Sequence, residues 1–262
     1  MDLGLTGKVA LVLGASQGLG LAIAGALAAE GAAVGLVSRN AEKLAAAAAD
    51  IRGRSEGKAM FAAADVGSWP DIERAHGAIA AAFGPPDILV NNSGGPPPVD
   101  VTIVDAALWQ AQFEAMVLNQ MRLTELVLPP MRRKKFGRIL SVSSTSIIAP
   151  IPSLAISNAL RSALAQWMKT LAGEVARDGV TVNLLLPGSM ATARTEGFDR
   201  AAAAKRGVAA ATVAAEAAAE IPAGRYGDPK EFGDAAAFLA SPRASYITGV
   251  ALRVDGGVTH SL

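Results

Sequence analysis

The stretch Val9-Ala10-Leu11-Val12-Leu13-Gly14-Ala15-Ser16-Gln17-Gly18-Leu19-Gly20 decides how the chain is read. Five apolar residues, Val9 to Leu13, run straight into a turn with glycine at 14, 18 and 20. Leu19, Leu21, Ile23 and Leu27 follow at helical spacing, with alanines between them. Strand, tight turn and helix together make a phosphate seat. The glycines let the backbone come close, and the helix start offers free N–H groups and the positive end of its dipole. The spacing Gly14-x-x-x-Gly18-x-Gly20 is not Walker A, since no Lys-Ser/Thr follows, and it is not G-x-G-x-x-G. Taken alone, the turn also reads as a bend that needs positive φ. The flanking strand and helix favour a dinucleotide site.

Composition narrows the rest. The 262 residues carry a net charge of +1, which argues against nucleic acid or a membrane surface as partner. There is no cysteine, so disulfides and thiolate metal sites are excluded. His76 and His260 stand far apart, outside any ligand spacing, and no metal is expected. The N-terminus, MDLGLTGK, lacks the basic and apolar regions of a signal peptide. No apolar run approaches the ~18 residues that a membrane helix needs. The expectation is a soluble, cytoplasmic protein.

Strand and helix patterns alternate along the chain. Strands are expected at Val9–Leu13, Ala33–Ser38, Ala59–Ala63, Asp87–Asn91, Arg138–Val142, Val180–Leu186 and Val250–Val254. Helices are expected at Leu19–Glu30, at Ala41–Arg52, and from an N-cap at Ser68 through Ala82. One long helix should run from Asp105 to Lys135 and another from Leu154 to Arg177. The Ala-rich region up to Glu220 reads as helical, and Pro229–Leu239 as one more helix. Such alternation means βαβ units: an α/β fold with a mostly parallel, seven-stranded, doubly wound sheet and helices on both faces. Ligands in such sheets sit outside the carboxyl ends of the strands.

The second strand ends Ser38-Arg39-Asn40, without the acid that would accept from a ribose 2′-OH. Arg39 instead offers a planar, charged fork suited to a 2′-phosphate, so NADP(H) is favoured over NAD(H). A surface arginine opening a helix is the alternative. Asp65, after the third strand, suits either a helix cap or a bond to an adenine amino group.

These residues resemble the short-chain dehydrogenases/reductases, especially the 3-oxoacyl-[acyl-carrier-protein] reductase-like members, over nearly the whole chain. Gly14-Ala15-Ser16-Gln17-Gly18-Leu19-Gly20 is similar to the family's T-G-x-x-x-G-x-G turn, with Leu13 in place of the threonine. Asn91-Asn92-Ser93-Gly94 resembles its N-N-A-G, and Asn119 falls where its catalytic-helix asparagine lies. Pro187-Gly188 with Thr192 is similar to the segment that holds the nicotinamide amide and pyrophosphate. Tyr246-Ile247-Thr248-Gly249 through Asp255-Gly256-Gly257 matches the closing strand and turn. The resemblance implies a single Rossmann-type domain over 1–262, with 190–222 as a substrate lid. It implies a homo-oligomer, tetramer or dimer, built on the two long helices. It places Gly14, Ser16, Gln17, Gly18, Leu19 and Gly20 at the cofactor. Ser38, Arg39, Asp65, Val66, Asn92, Ser93, Gly94, Arg161, Pro187, Gly188 and Thr192 join them there.

The resemblance breaks at the chemistry. The family uses a serine after the fifth strand and Y-x-x-x-K on the next helix. Ser143-Ser144 supplies the serine, and Ser144 is the better match. At the tyrosine position stands Ser157, and at the lysine position Arg161. The only tyrosines, Tyr226 and Tyr246, lie elsewhere. Residues at i and i+4 share a helix face, so Ser157 and Arg161 still point together. In the family a nearby cation lowers the tyrosine pKa from about 10. A serine hydroxyl does not titrate in the working range, and an arginine cannot pass a proton along. Arg161 can still hydrogen-bond the nicotinamide ribose. Loss of a positioned acid costs roughly 10²- to 10⁴-fold. A water held by Ser144, Ser157 and Asn119 is an alternative proton source.

The catalytic set implied is therefore Asn119, Ser144, Ser157 and Arg161, acting on a small-molecule carbonyl or alcohol. A second reading is a weak or inactive NADP(H)-binding sensor on the same fold. A third, a cofactor-free lyase resembling halohydrin dehalogenases, fits poorly: those keep the tyrosine and lose the glycine turn. Arg132-Arg133-Lys134-Lys135 reads as a solvated helix cap. Pro96-Pro97-Pro98 reads as a rigid pocket wall or a loop stiffener. His260 reads as part of a free tail.

Overall fold

The computed structural model describes residues 2–54 and 58–260. Seven strands form one sheet: β1 Val9–Leu13, β2 Ala33–Ser38, β3 Ala59–Ala63, β4 Ile88–Asn91, β5 Gly137–Val142, β6 Val180–Pro187 and β7 Ala251–Val254. Their order is β3-β2-β1-β4-β5-β6-β7, and every neighbouring pair is parallel. The sheet is thus wholly parallel. Its crossovers are α1 Gly18–Ala29, α2 Ala41–Arg54, α3 Trp69–Phe83, α4 Ala106–Phe113, α5 Asn119–Lys134 and α6 Ala155–Val175. Between β6 and β7 come α7 Ala193–Arg206, α8 Ala210–Ala219 and α9 Pro229–Ala240.

Strand alternation sorts side chains into two cores. From β1, Ala10 and Val12 join Ile23 and Leu27 of α1, Leu44 of α2 and Phe232 of α9. Leu11 and Leu13 face the other way, onto Ile79 of α3, Leu123 of α5 and Leu164 of α6. Burial on both faces explains why these strands read as continuous apolar runs. Phe232 has no exposed surface. We expect Phe232→Ala to cost about 3–5 kcal/mol of stability in urea unfolding, and a loss below about 1 kcal/mol would mean this layer is loosely packed.

The expected helix from Asp105 to Lys135 is interrupted. Residues Glu114–Leu118 form a π-turn between α4 and α5. Single π-turns of this kind gather at functional sites. Asp105 caps α4, its carboxylate accepting from Leu108 N–H at 3.1 Å. Ser68 stands at the N-cap of α3 but makes no side-chain cap bond. The basic cluster that closes α5 is paired rather than merely solvated. Lys134 meets the buried Asp87 at 2.7 Å, and Arg132 and Lys135 meet Asp178 at 2.9 and 3.0 Å. Asp87 also accepts from Val9 N–H at 3.0 Å, which ties the start of β1 to the same corner. Among the described residues, no helix is long and apolar enough to cross a membrane, and no cluster of metal-ligating side chains is present.

Candidate active site

With every strand parallel, all carboxyl ends open on one edge, and a cleft of about 1730 Å³ lies along it. Gly14 follows β1 there, Ser38 and Arg39 end β2, and Asp65 and Val66 follow β3. Asn92, Ser93 and Gly94 follow β4, Ser143 and Ser144 follow β5, and Pro187 and Gly188 end β6. Gln17, Gly18, Leu19, Ser16, Ser157, Arg161 and Thr192 also line it. All the site residues singled out from sequence except Gly20 and Asn119 are thus drawn together from positions far apart in the chain.

The glycine turn is built for close approach. Gly14 and Gly18 have φ of +61° and +58°, a region that side chains rarely adopt. A Cβ on Gly14 would come within 2.7 Å of the Asn92 carbonyl oxygen. Gly20 does not line the cleft; a Cβ there would drive into the Gly14 carbonyl oxygen. Its role is to let α1 sit against the turn. No side chain caps the start of α1, which leaves its first N–H groups available. A cradle shaped this way fits a dinucleotide pyrophosphate.

Beside it, the Ser16 and Ser38 hydroxyls share a hydrogen bond of 2.9 Å. Arg39 is exposed on the cleft rim. Lys43, which the sequence reading did not select, joins it and donates to Gln17 Oε1 at 2.8 Å. The Asn40 side chain accepts from Lys43 N–H at 2.8 Å and so fixes the first turn of α2. Asp65 is used locally, accepting from Gly67 N–H at 2.9 Å.

At the other end, Arg161 organises the reacting region. Its Nε donates to Ser157 Oγ at 3.1 Å, and its Nη1 donates to the carbonyls of Val142 and Ser143 at 2.9 and 3.2 Å. Arg161 is enclosed. Burial first, and the Arg194 cation second, lower its pKa to about 10, so it stays charged at neutral pH. Ser144 Oγ accepts from Ser146 N–H at 3.0 Å and caps a short 3₁₀ turn, Thr145–Ile147. Both serine oxygens therefore hold a fixed donor, which leaves each hydroxyl hydrogen free to be donated elsewhere. Ser143 is the more buried of the serine pair, and its hydroxyl has no partner among the described residues.

Asn119 departs from expectation. It is buried and its side chain does not reach the cleft. Its Nδ2 donates to the Val66 carbonyl at 3.0 Å, and its Oδ1 accepts from Arg122 at 3.4 Å. Both ends of its amide are thus engaged by partners other than Ser144 and Ser157. It instead pins the end of the π-turn to the loop after β3. His260, expected in a free tail, lines the cleft together with Val258 and Thr259. Asp255 holds this segment, accepting from Thr259 N–H at 3.2 Å. Pro96 and Pro97 form part of the cleft wall, and Val99 N–H anchors their loop to the Ser153 carbonyl at 3.0 Å.

A family model described as enoyl-(acyl carrier protein) reductase matches residues 14–259. The 3-oxoacyl-[acyl-carrier-protein] reductase FabG of Vibrio cholerae is 39% identical over 256 residues, covering 97% of this chain and 98% of the relative. The chain belongs to the short-chain dehydrogenase/reductase family. It is an oxidoreductase of that nicotinamide-dependent class. FabG of Escherichia coli is 36% identical over 252 residues, 96% of this chain and 97% of its own. The solved structure of L-sorbose reductase from Gluconobacter frateurii, complexed with NADPH and L-sorbose, superposes with a TM-score of 0.95 at 33% identity and covers all of both chains. An actinorhodin polyketide ketoreductase variant with NADPH gives a TM-score of 0.91 at 32% identity, over 97% and 98% of the two chains. Against the Y-x-x-x-K that the resemblance implies, this dehydrogenase/reductase carries Ser157 and Arg161.

Proposed function

We propose that this protein is an NADP(H)-dependent reductase of small carbonyl compounds in which Arg161 and two serines replace the usual tyrosine and lysine. The observation that carries the reading is the bridge from Arg161 to Ser157 and to the carbonyls that end β5. The Arg161 N–H occupies a Ser157 lone pair, so the Ser157 hydroxyl is free to donate to a substrate carbonyl oxygen. Ser144, held by Ser146 N–H, donates beside it. Two fixed donors at one oxygen stabilise the charge that develops there. The cofactor, when bound, supplies the hydride. Because neither serine titrates, the product's proton comes from water relayed through these hydroxyls. The Arg161 cation offsets the developing negative charge, and its Nη2 is left for a ribose hydroxyl. Asn119 acts by holding the π-turn in place.

Arg39 and Lys43 support NADP(H) over NAD(H): both cations line the cleft beside the end of β2, while Glu42 of the same turn does not. The NADPH in the L-sorbose reductase and ketoreductase structures is in keeping with this choice. The segment 190–222, carrying α7 and α8, is proposed as the substrate lid of a single domain spanning 1–262, hinged where Met190 bridges Gly227. The exposed apolar residues Val101, Ile103, Val104 and Phe113 support assembly as a homo-oligomer through the face of α4 and α6.

The test is calorimetry with NADPH and NADH, followed by absorbance of the reduced nicotinamide against a carbonyl panel. Arg39→Ala and Lys43→Ala together should weaken NADPH binding by roughly 10- to 100-fold, in line with charge-assisted bonds to a phosphate, and leave NADH within about threefold. Equal losses for both nucleotides would place the 2′-phosphate elsewhere. Tight NADPH binding without turnover on any carbonyl would make the protein a sensor instead.

A further inference from the structure

Arg194 breaks two local rules at once. It lies in the first turn of α7, two residues past the N-cap Thr192, where a cation opposes the helix dipole. It is near enough to Arg161 for each charge to disfavour the other. It is exposed where it lines the cleft, and desolvation by the surrounding protein still pushes its own pKa down. Yet among the described residues no ion pair includes it. Of the cleft-lining carboxylates, Asp199 accepts from Tyr226 OH at 3.1 Å and Asp65 from Gly67 N–H, and Glu220 forms no ion pair with Arg194. Local conflicts without compensation mark functional positions.

The guanidinium is also held in place. Phe198, one turn further along α7, carries it 5.1 Å from its ring centroid. On the cleft floor it lies against Gly95; a Cβ at that glycine would sit 2.5 Å from Arg194 Nη2. Thr192 faces the phosphate turn, its Cγ2 within 3.8 Å of a Cβ built on Gly18. Thr192 is the extended N-cap of α7, and the Arg194 guanidinium reaches instead to Gly95.

We propose that Arg194 binds a carboxylate of the substrate, which makes the substrate class an oxo acid. This rests on the reductase reading above. An anion there neutralises the cation at the helix start, satisfies the guanidinium and relieves its repulsion of Arg161. In the reaction the substrate's carbonyl carbon accepts a hydride, its oxygen takes a proton from water, and the carboxylate is unchanged. Arg194 is thus a specificity residue rather than an acid or base.

The experiment pairs 2-, 3- and 4-oxo acids with their methyl esters as substrates. It compares wild type, Arg194→Met and Arg194→Lys, with calorimetric binding of each acid to the NADP⁺-loaded protein as a second readout. In wild type, kcat/KM should favour at least one acid over its ester by roughly 10- to 100-fold, the range of a charge-assisted hydrogen bond, mostly through KM. Arg194→Met should erase that preference and the binding of the acid, while ester turnover stays within about threefold. Arg194→Lys should keep part of both. Equal use of acids and esters by wild type overturns this proposal and leaves the reductase reading standing. No Arg194-dependent binding of any acid overturns it whether or not turnover is seen. Weakened NADPH binding in Arg194→Met with the acid preference intact assigns the cation to the cofactor pyrophosphate and also overturns it. Failure of the whole carbonyl panel, esters included, counts against the reductase reading itself.

Discussion

Arg161→Met is expected to lower kcat by roughly 10²- to 10⁴-fold, the range for losing a positioned acid–base or electrostatic element. Two effects add. Ser157 loses the donor that fixes its hydroxyl, and the Val142 and Ser143 carbonyls lose Nη1. Each buried carbonyl left unpaired costs about 1–3 kcal/mol, so some stability falls as well. Arg161→Lys separates the two. It keeps a cation but cannot fork to both carbonyls and Ser157 at once, so it should fold better than the methionine variant and recover only part of kcat. Thermal unfolding measured beside turnover shows which loss dominates. If Arg161→Met turns over at more than a tenth of the wild-type rate, the bridge is structural only.

The same geometry sets the pH dependence. Arg161 titrates at about 10, below its ordinary value because of burial and then Arg194. Its charged form is the one that helps. Its contribution is therefore present below about pH 10 and lost as the pH rises through that value. Reductase kcat should be level from about pH 6 to 9 and fall above it. A break near neutrality in kcat would point to a titrating donor outside the serine–arginine group.

Gly20→Ala carries the second large effect. The new methyl would overlap the Gly14 carbonyl oxygen, a backbone atom that cannot swing aside, and would also meet the Asn92 side chain. The turn and α1 must separate, and with them the pyrophosphate cradle. Overpacking of this kind costs typically about 1–3 kcal/mol of stability. The larger loss is in binding: NADPH affinity should drop at least roughly 100-fold, since several N–H contacts are displaced together. Calorimetry on a variant that still unfolds cooperatively is the deciding measurement. Affinity within threefold of wild type would mean that the turn relaxes freely.

How far the sequence reached follows from where each signal is encoded. The strands were legible because both faces of a parallel sheet are buried: β1 is an unbroken apolar run, and β4, β5 and β6 are mostly apolar and buried along nearly their whole length. The glycine turn was legible because close approach demands that residue type. The π-turn was not, since Glu114–Leu118 contains neither glycine nor proline and its widening answers to tertiary packing. Lys43 was hidden in a polar helix face. It joins the cleft only because Asn40 starts α2 at the right phase. The partners of the basic cluster, Asp87 and Asp178, lie 47 and 43 residues from their lysines, beyond any local pattern. Asn119 was picked by position, but its partner Val66, 53 residues earlier, decides what its side chain does. Arg194 stood just past the last residue that the family resemblance covers in that segment, and only folding brings it beside Arg161.

The strand order also sets a sequence of assembly. β1 is the oldest strand in the sheet, and growth proceeds outward from it on both sides. One wing, β2 and β3, is complete by Ala63; the other adds β4, β5, β6 and β7 in the order in which they leave the ribosome. Closing β1 onto β4 must span nearly eighty residues, an entropic toll that local pairs do not face. The nucleotide-grasping wing is not self-sufficient, because Phe232 of α9 completes the core over Ala10, Val12 and Ile23. A nascent chain halted before β5 would carry the residues of the phosphate turn without the layer that backs them.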